Sequence, residues 1–261
     1  MESRLIPALD VETAVEAERL AARLVGLVQI VKIGVPLFTV AGPTLLTRVR
    51  RLGLELFLDL KLHDIPSTVA RAAVAATDQG VRMFTVHAAG GRAMLRAARE
   101  AVREACERRR LPEPAILAVT ILTHLDGPAL HLDLRVPGPV DRQVVHFARL
   151  ARRAGCHGVV ASPLEVRAVR RACGPSCVIV TPGIRPGGAR RPGGARRPAW
   201  YHNHKGADGA EDQRRVATAG AALEAGADYI VVGRPIIEAK DPVKAARQIV
   251  EEIRCSPTSR S

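Results

Sequence analysis

The chain has 261 residues, 47% of them apolar and 25% charged. That is ordinary globular composition, and it excludes a wholly disordered chain or a fibrous repeat. With 39 Lys and Arg against 26 Asp and Glu, the formal charge is +13. Only five of those cations are lysines and 34 are arginines, so the excess reads as a compositional preference as much as a binding surface. The arginines are spread over many helical segments with few aromatics between them, which argues against nucleic acid as the main partner. No stretch approaches the roughly 20 apolar residues of a membrane span. The first residues hold no apolar signal-peptide core, so the expected compartment is the cytoplasm. The five cysteines form neither a disulfide framework nor a zinc set, and Cys173 and Cys177 read as plain thiols.

In chain order, short β-branched runs alternate with longer Ala/Leu/Arg-rich amphipathic ones. The strands are expected at Leu5–Leu9, Val28–Ile33, Leu54–Leu58, Met83–Val86, Ala115–Val119, Gly158–Ala161, Val178–Thr181 and Tyr229–Val232. The helices are expected near 12–25, 36–51, 66–79, 91–109, 141–154, 163–172, 212–225 and 241–253. Continuous apolar strands separated by helices imply a parallel sheet covered on both faces. Eight such units in about 250 residues imply a single-domain (β/α)8 barrel, a TIM barrel. A doubly wound open sheet is the second choice, weakened because no G-x-G-x-x-G follows the first strand. One segment breaks the pattern: Arg185 to Pro198 carries a tandem Arg-Pro-Gly-Gly-Ala-Arg repeat. Its Pro and Gly density suits neither helix nor strand. The barrel is therefore expected to occupy residues 1–254, with a long, mobile, basic loop inserted at about 186–211 and a frayed tail at 255–261.

Active sites of such barrels lie at the C-terminal strand ends. Standing there are Asp10, Lys32, the run Asp59-Leu-Lys61-Leu-His63-Asp64, His87, Thr120 with Thr123 beyond it, Thr181-Pro182-Gly183-Ile184-Arg185, and Gly233-Arg234. Residues two apart on a strand share a face, so Asp59 and Lys61 are expected to project together into the barrel mouth. With Lys32 and Asp64 they would alternate carboxylate and ammonium. Neighbours of opposite sign keep one another ionised, and a lysine so held can give a proton to a carbanion, whereas arginine cannot. The same pattern would also serve as a purely structural ion-pair network. Gly183 with Arg185 and Gly233 with Arg234 repeat a Gly-plus-Arg pattern after the last two strands, which suits a phosphate. Asp10 could equally cap the first helix. His87 reads as a hydrogen-bonded structural histidine, and Thr120 as a residue that satisfies backbone groups. His202 and His204 have an H-x-H spacing without a rigid setting. No metal ligand set is read.

The stretch Phe57-Leu-Asp-Leu-Lys-Leu-His-Asp-Ile-Pro-Ser-Thr68 closely resembles the signature of bacterial orotidine 5′-phosphate decarboxylases. The resemblance extends through Ile6–Asp10, Val31–Gly34, Val86–Gly91, Ala118–Thr123, Gly158–Pro163, Val180–Arg185, Asp212-Gln213 and Ile230–Arg234. It implies cofactor-free decarboxylation of orotidine 5′-phosphate to UMP, the last step of de novo pyrimidine synthesis, by a homodimer with sites at the subunit interface. Carried over by position, Lys61 donates the proton to C6 of the pyrimidine. Asp59 and Lys32 complete the charged array and contact the ribose, and Asp10 binds a ribose hydroxyl. Asp64 enters the partner's site, with Ile65 and Thr68 beside it. Thr123 and Pro182 line the pyrimidine side, while Arg185, Gln213, Gly233 and Arg234 hold the phosphate end. The departure is the loop: 27 residues separate Arg185 from Gln213, where relatives have a short connection. His124 is a minor departure with no evident role. Two other readings remain. One is an Mg²⁺-dependent sugar-phosphate decarboxylase or aldolase of the same suprafamily, which carries an acidic residue where this chain has Lys32. The other is a non-catalytic barrel that binds RNA or a partner through its basic loop.

Overall fold

The computed structural model describes residues 3–185 and 215–255. The repeat-bearing segment at 186–211, Gln213, His202 and His204 lie outside the described residues, as does the tail from 256 onward. Eight strands alternate with helices: β1 (Leu5–Pro7), β2 (Ile30–Gly34), β3 (Glu55–Leu62), β4 (Met83–His87), β5 (Ala115–Val119), β6 (Gly158–Val160), β7 (Val178–Thr181) and β8 (Tyr229–Val232). All neighbouring pairs are parallel, and β1 pairs with β8. The ring closes between β1 and β2 through a parallel bridge from Ala8 to Lys32, where the Leu9 amide donates to the Lys32 carbonyl at 2.9 Å. The architecture is the expected (β/α)8 barrel.

The apolar strands build two cores because their residues alternate sides. Ile6, Ile30, Phe57, Met83, Leu117, Val180 and Val231 fill the inside of the barrel. Leu5, Val31, Leu56, Leu58, Phe84, Ile116, Val159 and Ile179 face outward and pack under the helices. Phe57 is one of the chain's four phenylalanines, and it is fully buried in the barrel among aliphatic side chains and Met83, with Tyr229 packed at the edge of the cluster.

The helices are α1 (Ala14–Leu24), α2 (Val35–Arg51), α3 (Pro66–Asp78), α4 (Gly91–Arg109), α5 (Gly127–Leu132), α6 (Val140–Arg153), α7 (Val166–Cys173), α8 (Ala219–Glu224), α9 (Arg234–Ile237) and α10 (Pro242–Cys255). Four differ from expectation. The helix expected at 36–51 is interrupted at Gly42, whose φ of 61° precedes Pro43. Of the helix expected at 212–225, residues 212–214 lie outside the described residues, and the remainder is helical only at Ala219–Glu224, because Ala217 instead bridges Ile184 and Thr218 caps the helix. Two short helices, α5 and α9, are not expected from the sequence. α5 starts on an Asp126 cap ahead of Gly127-Pro128, and α9 is a single turn opened by Gly233. None of the described helices is long and apolar enough to cross a membrane. Cys106, Cys156, Cys173 and Cys177 are buried free thiols, as the sequence reading expected of the last two.

Candidate active site

The C-terminal ends of the strands open onto a cavity of about 530 Å³. Its walls include Asp10, Lys32, Asp59, Lys61, Thr123, Pro182, Gly183, Arg185, Gly233 and Arg234. Ten polar or turn-forming residues from six strand ends thus meet around one space. Asp64, Ile65 and Thr68 are not among its lining residues. Asp64 and Ile65 are exposed at the start of α3, where the Asp64 carboxylate accepts from the Ile65 amide. Gln213 lies outside the described residues.

The charged centre is an alternating chain. Asp10 Oδ1 accepts from Lys32 Nζ at 3.1 Å, Lys32 Nζ lies 3.6 Å from Asp59 Oδ2, and Lys61 Nζ donates to that same oxygen at 2.9 Å. Lys32 is 8% exposed and the Lys61 side chain 36%, so Lys61 is the ammonium open to a ligand. Burial works to raise the Asp59 pKa, but Lys32, then Lys61, and the hydrogen bonds from Lys61 and Thr85 outweigh it. Asp59 is therefore held below the usual carboxylate range and stays ionised.

Asp59 and Lys61 meet as expected, but not by simple strand alternation. Leu58 stands opposite Phe84 and Leu62 opposite Val86, so β3 spends four residues where β4 spends two. The excess forms a bulge in which Lys61 takes a φ of 52°, a left-handed conformation costly for a non-glycine residue. Thr85, fully buried on β4, accepts from the Lys61 amide at 2.8 Å and donates to Asp59 Oδ1 at 2.9 Å.

Two glycines give the centre its room. A Cβ on Gly34 would stand 2.9 Å from Lys32 Nζ and 3.3 Å from Asp10 Oδ1, and one on Gly233 would stand 3.3 Å from Asp10 Oδ2. Asp10 is not the cap of α1: Thr13 and Glu16 form that capping box, which leaves Asp10 to the cavity. His87 has the structural character expected. Its Nδ1 accepts from the Ala89 amide at 3.4 Å, and its ring stacks on His63 at 5.1 Å. Burial, then His63 and Lys61, push its pKa down. Thr120 donates to the Val160 carbonyl at 2.9 Å, also as expected.

Sequence reasoning missed four residues around the site. Thr85 looked like a β-branched strand residue. Glu238 lines the cavity from the C-terminal edge of α9. Arg215 and Glu165 form a buried ion pair of 2.8 Å with side chains 9% and 6% exposed, and Arg215 Nη2 donates to the carbonyls of Ile121 and Leu122 at 3.2 and 3.0 Å. Both carbonyls belong to the wall just before Thr123. Glu165 follows an apolar strand by a few residues, a position that could have flagged it; Arg215 was one arginine among many.

Among the described residues, no group of three or more His, Cys, Asp or Glu is placed to hold a metal ion. The place between the carboxylates of Asp10 and Asp59 is taken by the Lys32 ammonium, so this donor set does not suit a divalent cation.

A (β/α)8 barrel that gathers a cation–carboxylate array at the C-terminal ends of its strands has the arrangement of a barrel enzyme's active site. The model of the orotidine 5′-phosphate decarboxylase / HUMPS family matches residues 3–249, and the chain belongs to that family. The orotidine 5′-phosphate decarboxylase of Moorella thermoacetica is 48% identical over 252 residues, covering 97% of this chain and 92% of that protein. That of Syntrophotalea carbinolica is 48% identical over 250 residues, covering 96% and 94%. Among solved structures, the orotidine 5′-phosphate decarboxylase of Lactobacillus acidophilus superposes with a TM-score of 0.79 at 33% identity, covering 97% of this chain and all of that one.

Proposed function

We propose that this chain decarboxylates orotidine 5′-phosphate to UMP and CO2, without cofactor, as the last step of UMP synthesis. The observation that carries the reading is the chain of contacts from Asp10 through Lys32 and Asp59 to Lys61 at the cavity mouth. Breaking the C6–carboxylate bond leaves its electron pair on C6, where the ring offers no resonance. A fixed ammonium in a preorganised, partly desolvated site stabilises that pair. Lys61 Nζ then gives its proton to C6 and is reprotonated from solvent. Asp59, ionised between two lysines, holds the Lys61 ammonium in place until transfer and faces the departing carboxylate. Lys32 and Asp10 bind the ribose, and Thr123 and Pro182 line the pyrimidine side. Arg185, Gln213, Gly233 and Arg234 take the phosphate, whose binding energy supports the remote chemistry.

The sequence resemblance supports a homodimer in which Asp64, Ile65 and Thr68 reach into the partner subunit's site; their position outside this chain's own cavity is consistent with it. We take residues 1–254 as one cytoplasmic decarboxylase domain, with 186–211 as an insertion and 255–261 as a tail. In the structure α10 extends through Cys255, one residue past that boundary. The Mg²⁺-dependent alternative is disfavoured by Lys32, which occupies the space a cation would need.

Lys61→Ala tests the reading beside the wild type. Wild-type protein should form UMP from orotidine 5′-phosphate, while the variant should lose turnover yet keep its circular dichroism and its affinity for UMP. Near-wild-type turnover by the variant would overturn the assignment.

A further inference from the structure

The bulge in β3 raises a question that the charged residues do not answer: what fixes Lys61 and Asp59 in register with each other. Lys61 sits in a left-handed conformation, φ 52°, on a strand with two more residues than its partner between the paired positions. An extended strand would relieve that conformation, so something must hold it. The contact stands in the gap between Phe84 and Val86. It is the Thr85 hydroxyl, with Thr85 0% exposed.

That hydroxyl has one proton and two lone pairs, and the geometry uses both kinds of group. Its proton goes to Asp59 Oδ1 at 2.9 Å, and its oxygen accepts from the Lys61 backbone amide at 2.8 Å. One bond fixes the rotation of the Asp59 carboxylate. With Oδ1 bound to Thr85, Oδ2 is the oxygen turned toward Lys61 Nζ at 2.9 Å and Lys32 Nζ at 3.6 Å. The other bond fixes the backbone from which the Lys61 side chain starts. A single hydroxyl therefore ties both ends of the Asp59–Lys61 pair to the neighbouring strand.

We propose that Thr85 is a positioning residue for the reaction: its hydroxyl sets the Asp59 carboxylate and the Lys61 backbone so that the ammonium is aimed at the substrate carbon. This rests on the decarboxylase reading above. Thr85 touches no substrate in this scheme and acts through Asp59 and Lys61.

Thr85→Val keeps the shape of the side chain and removes the hydroxyl. Misplacing a reacting group by a fraction of an ångström to an ångström costs up to about 100-fold, so kcat should fall about 10- to 100-fold while KM changes less than about threefold. The acid limb of the kcat/KM profile should move to higher pH, because Asp59 loses a hydrogen bond that favours its charged form. Thr85→Ser, which restores the hydroxyl, should recover kcat to within about threefold of wild type and return the acid limb. Should Thr85→Val prove insoluble, Thr85→Ala carries the same test. A valine or alanine variant with wild-type kcat and acid limb would overturn the proposal. So would a serine variant as impaired as the valine one, or a loss of kcat without movement of the acid limb, since simple packing would explain either. A wild-type protein that does not convert orotidine 5′-phosphate would instead overturn the parent reading.

Discussion

The buried pair of Glu165 and Arg215 gives the most demanding stability prediction. Arg215 follows the segment beyond Arg185, Glu165 precedes α7, and the carbonyls of Ile121 and Leu122 follow β5. One guanidinium thus joins three strand-end loops. Among the described residues, Glu165 Oε2 and Arg215 Nε have no hydrogen-bond partner, so Glu165 relies largely on its single 2.8 Å contact. Arg215→Met keeps the apolar stem and strands a carboxylate whose side chain is 6% exposed. Removing one partner of a buried pair costs about 3–5 kcal/mol. Glu165 stands at the N-cap position of α7 with no side-chain capping bond, and a helix N-terminus returns about 0.3–1 kcal/mol to a nearby anion, which places the expected loss near the lower end. At about 2–4 °C per kcal/mol for a domain of this size, Tm should fall by about 6–15 °C. Glu165→Leu with Arg215→Met removes both charges and should recover most of that loss. The two carbonyls left without a donor should withhold about 1–2 kcal/mol. Urea denaturation followed by circular dichroism on the wild type, both single variants and the double variant measures the coupling. If the two single losses simply added in the double variant, the stranded-charge argument would be wrong.

Three further outcomes follow from the same geometry. A Cβ on Gly158 would stand 2.0 Å from the Val178 carbonyl oxygen; Gly158→Ala should therefore force β6 and β7 apart and cost more than about 3 kcal/mol by the overpacking penalty, checked by denaturation of whatever soluble protein is obtained. Burial pushes the thiols of Cys156 and Cys177 up to about 12. Between an unfolded thiol value near 9 and those folded values the unfolded chain releases protons that the folded one keeps. Stability should therefore decline as pH rises above about 9, and a Cys177→Ala variant should show a shallower decline in a stability–pH series. Asp59 shifts the other way: its contribution is fully present above the unfolded carboxylate value near 3.9 and is lost as pH falls through its lower folded value. Asp59→Asn should then show a smaller acid-side loss of stability than wild type.

The barrel was legible because its signal is redundant. Each of eight apolar runs was placed within a few residues of its strand, and the inner and outer cores follow from alternation along them. Lys32, Asp59 and Lys61 were legible because charged residues at the ends of apolar strands are conspicuous. The reason Asp59 and Lys61 converge was not. Alternation predicts it for a regular strand, whereas the actual cause is a bulge whose register depends on β4 and on Thr85. The ambiguity of Asp10 was resolvable in principle, since Thr13-x-x-Glu16 carries the pattern of a capping box. Arg215 and Glu165 were not, because their pairing across 49 intervening residues is a property of the closed barrel. The short helices α5 and α9 are too brief for a periodic signal, and local caps define them instead.

The Asp10–Lys32–Asp59–Lys61 array is proposed to perform a metal-free decarboxylation. The measurement that bears on it most directly is the fall in orotidine 5′-phosphate absorbance with purified protein in excess EDTA, with UMP identified as product. Steady conversion is expected, unchanged by EDTA and abolished by Lys61→Ala. Conversion that requires added Mg²⁺, or no conversion by folded protein, would contradict it.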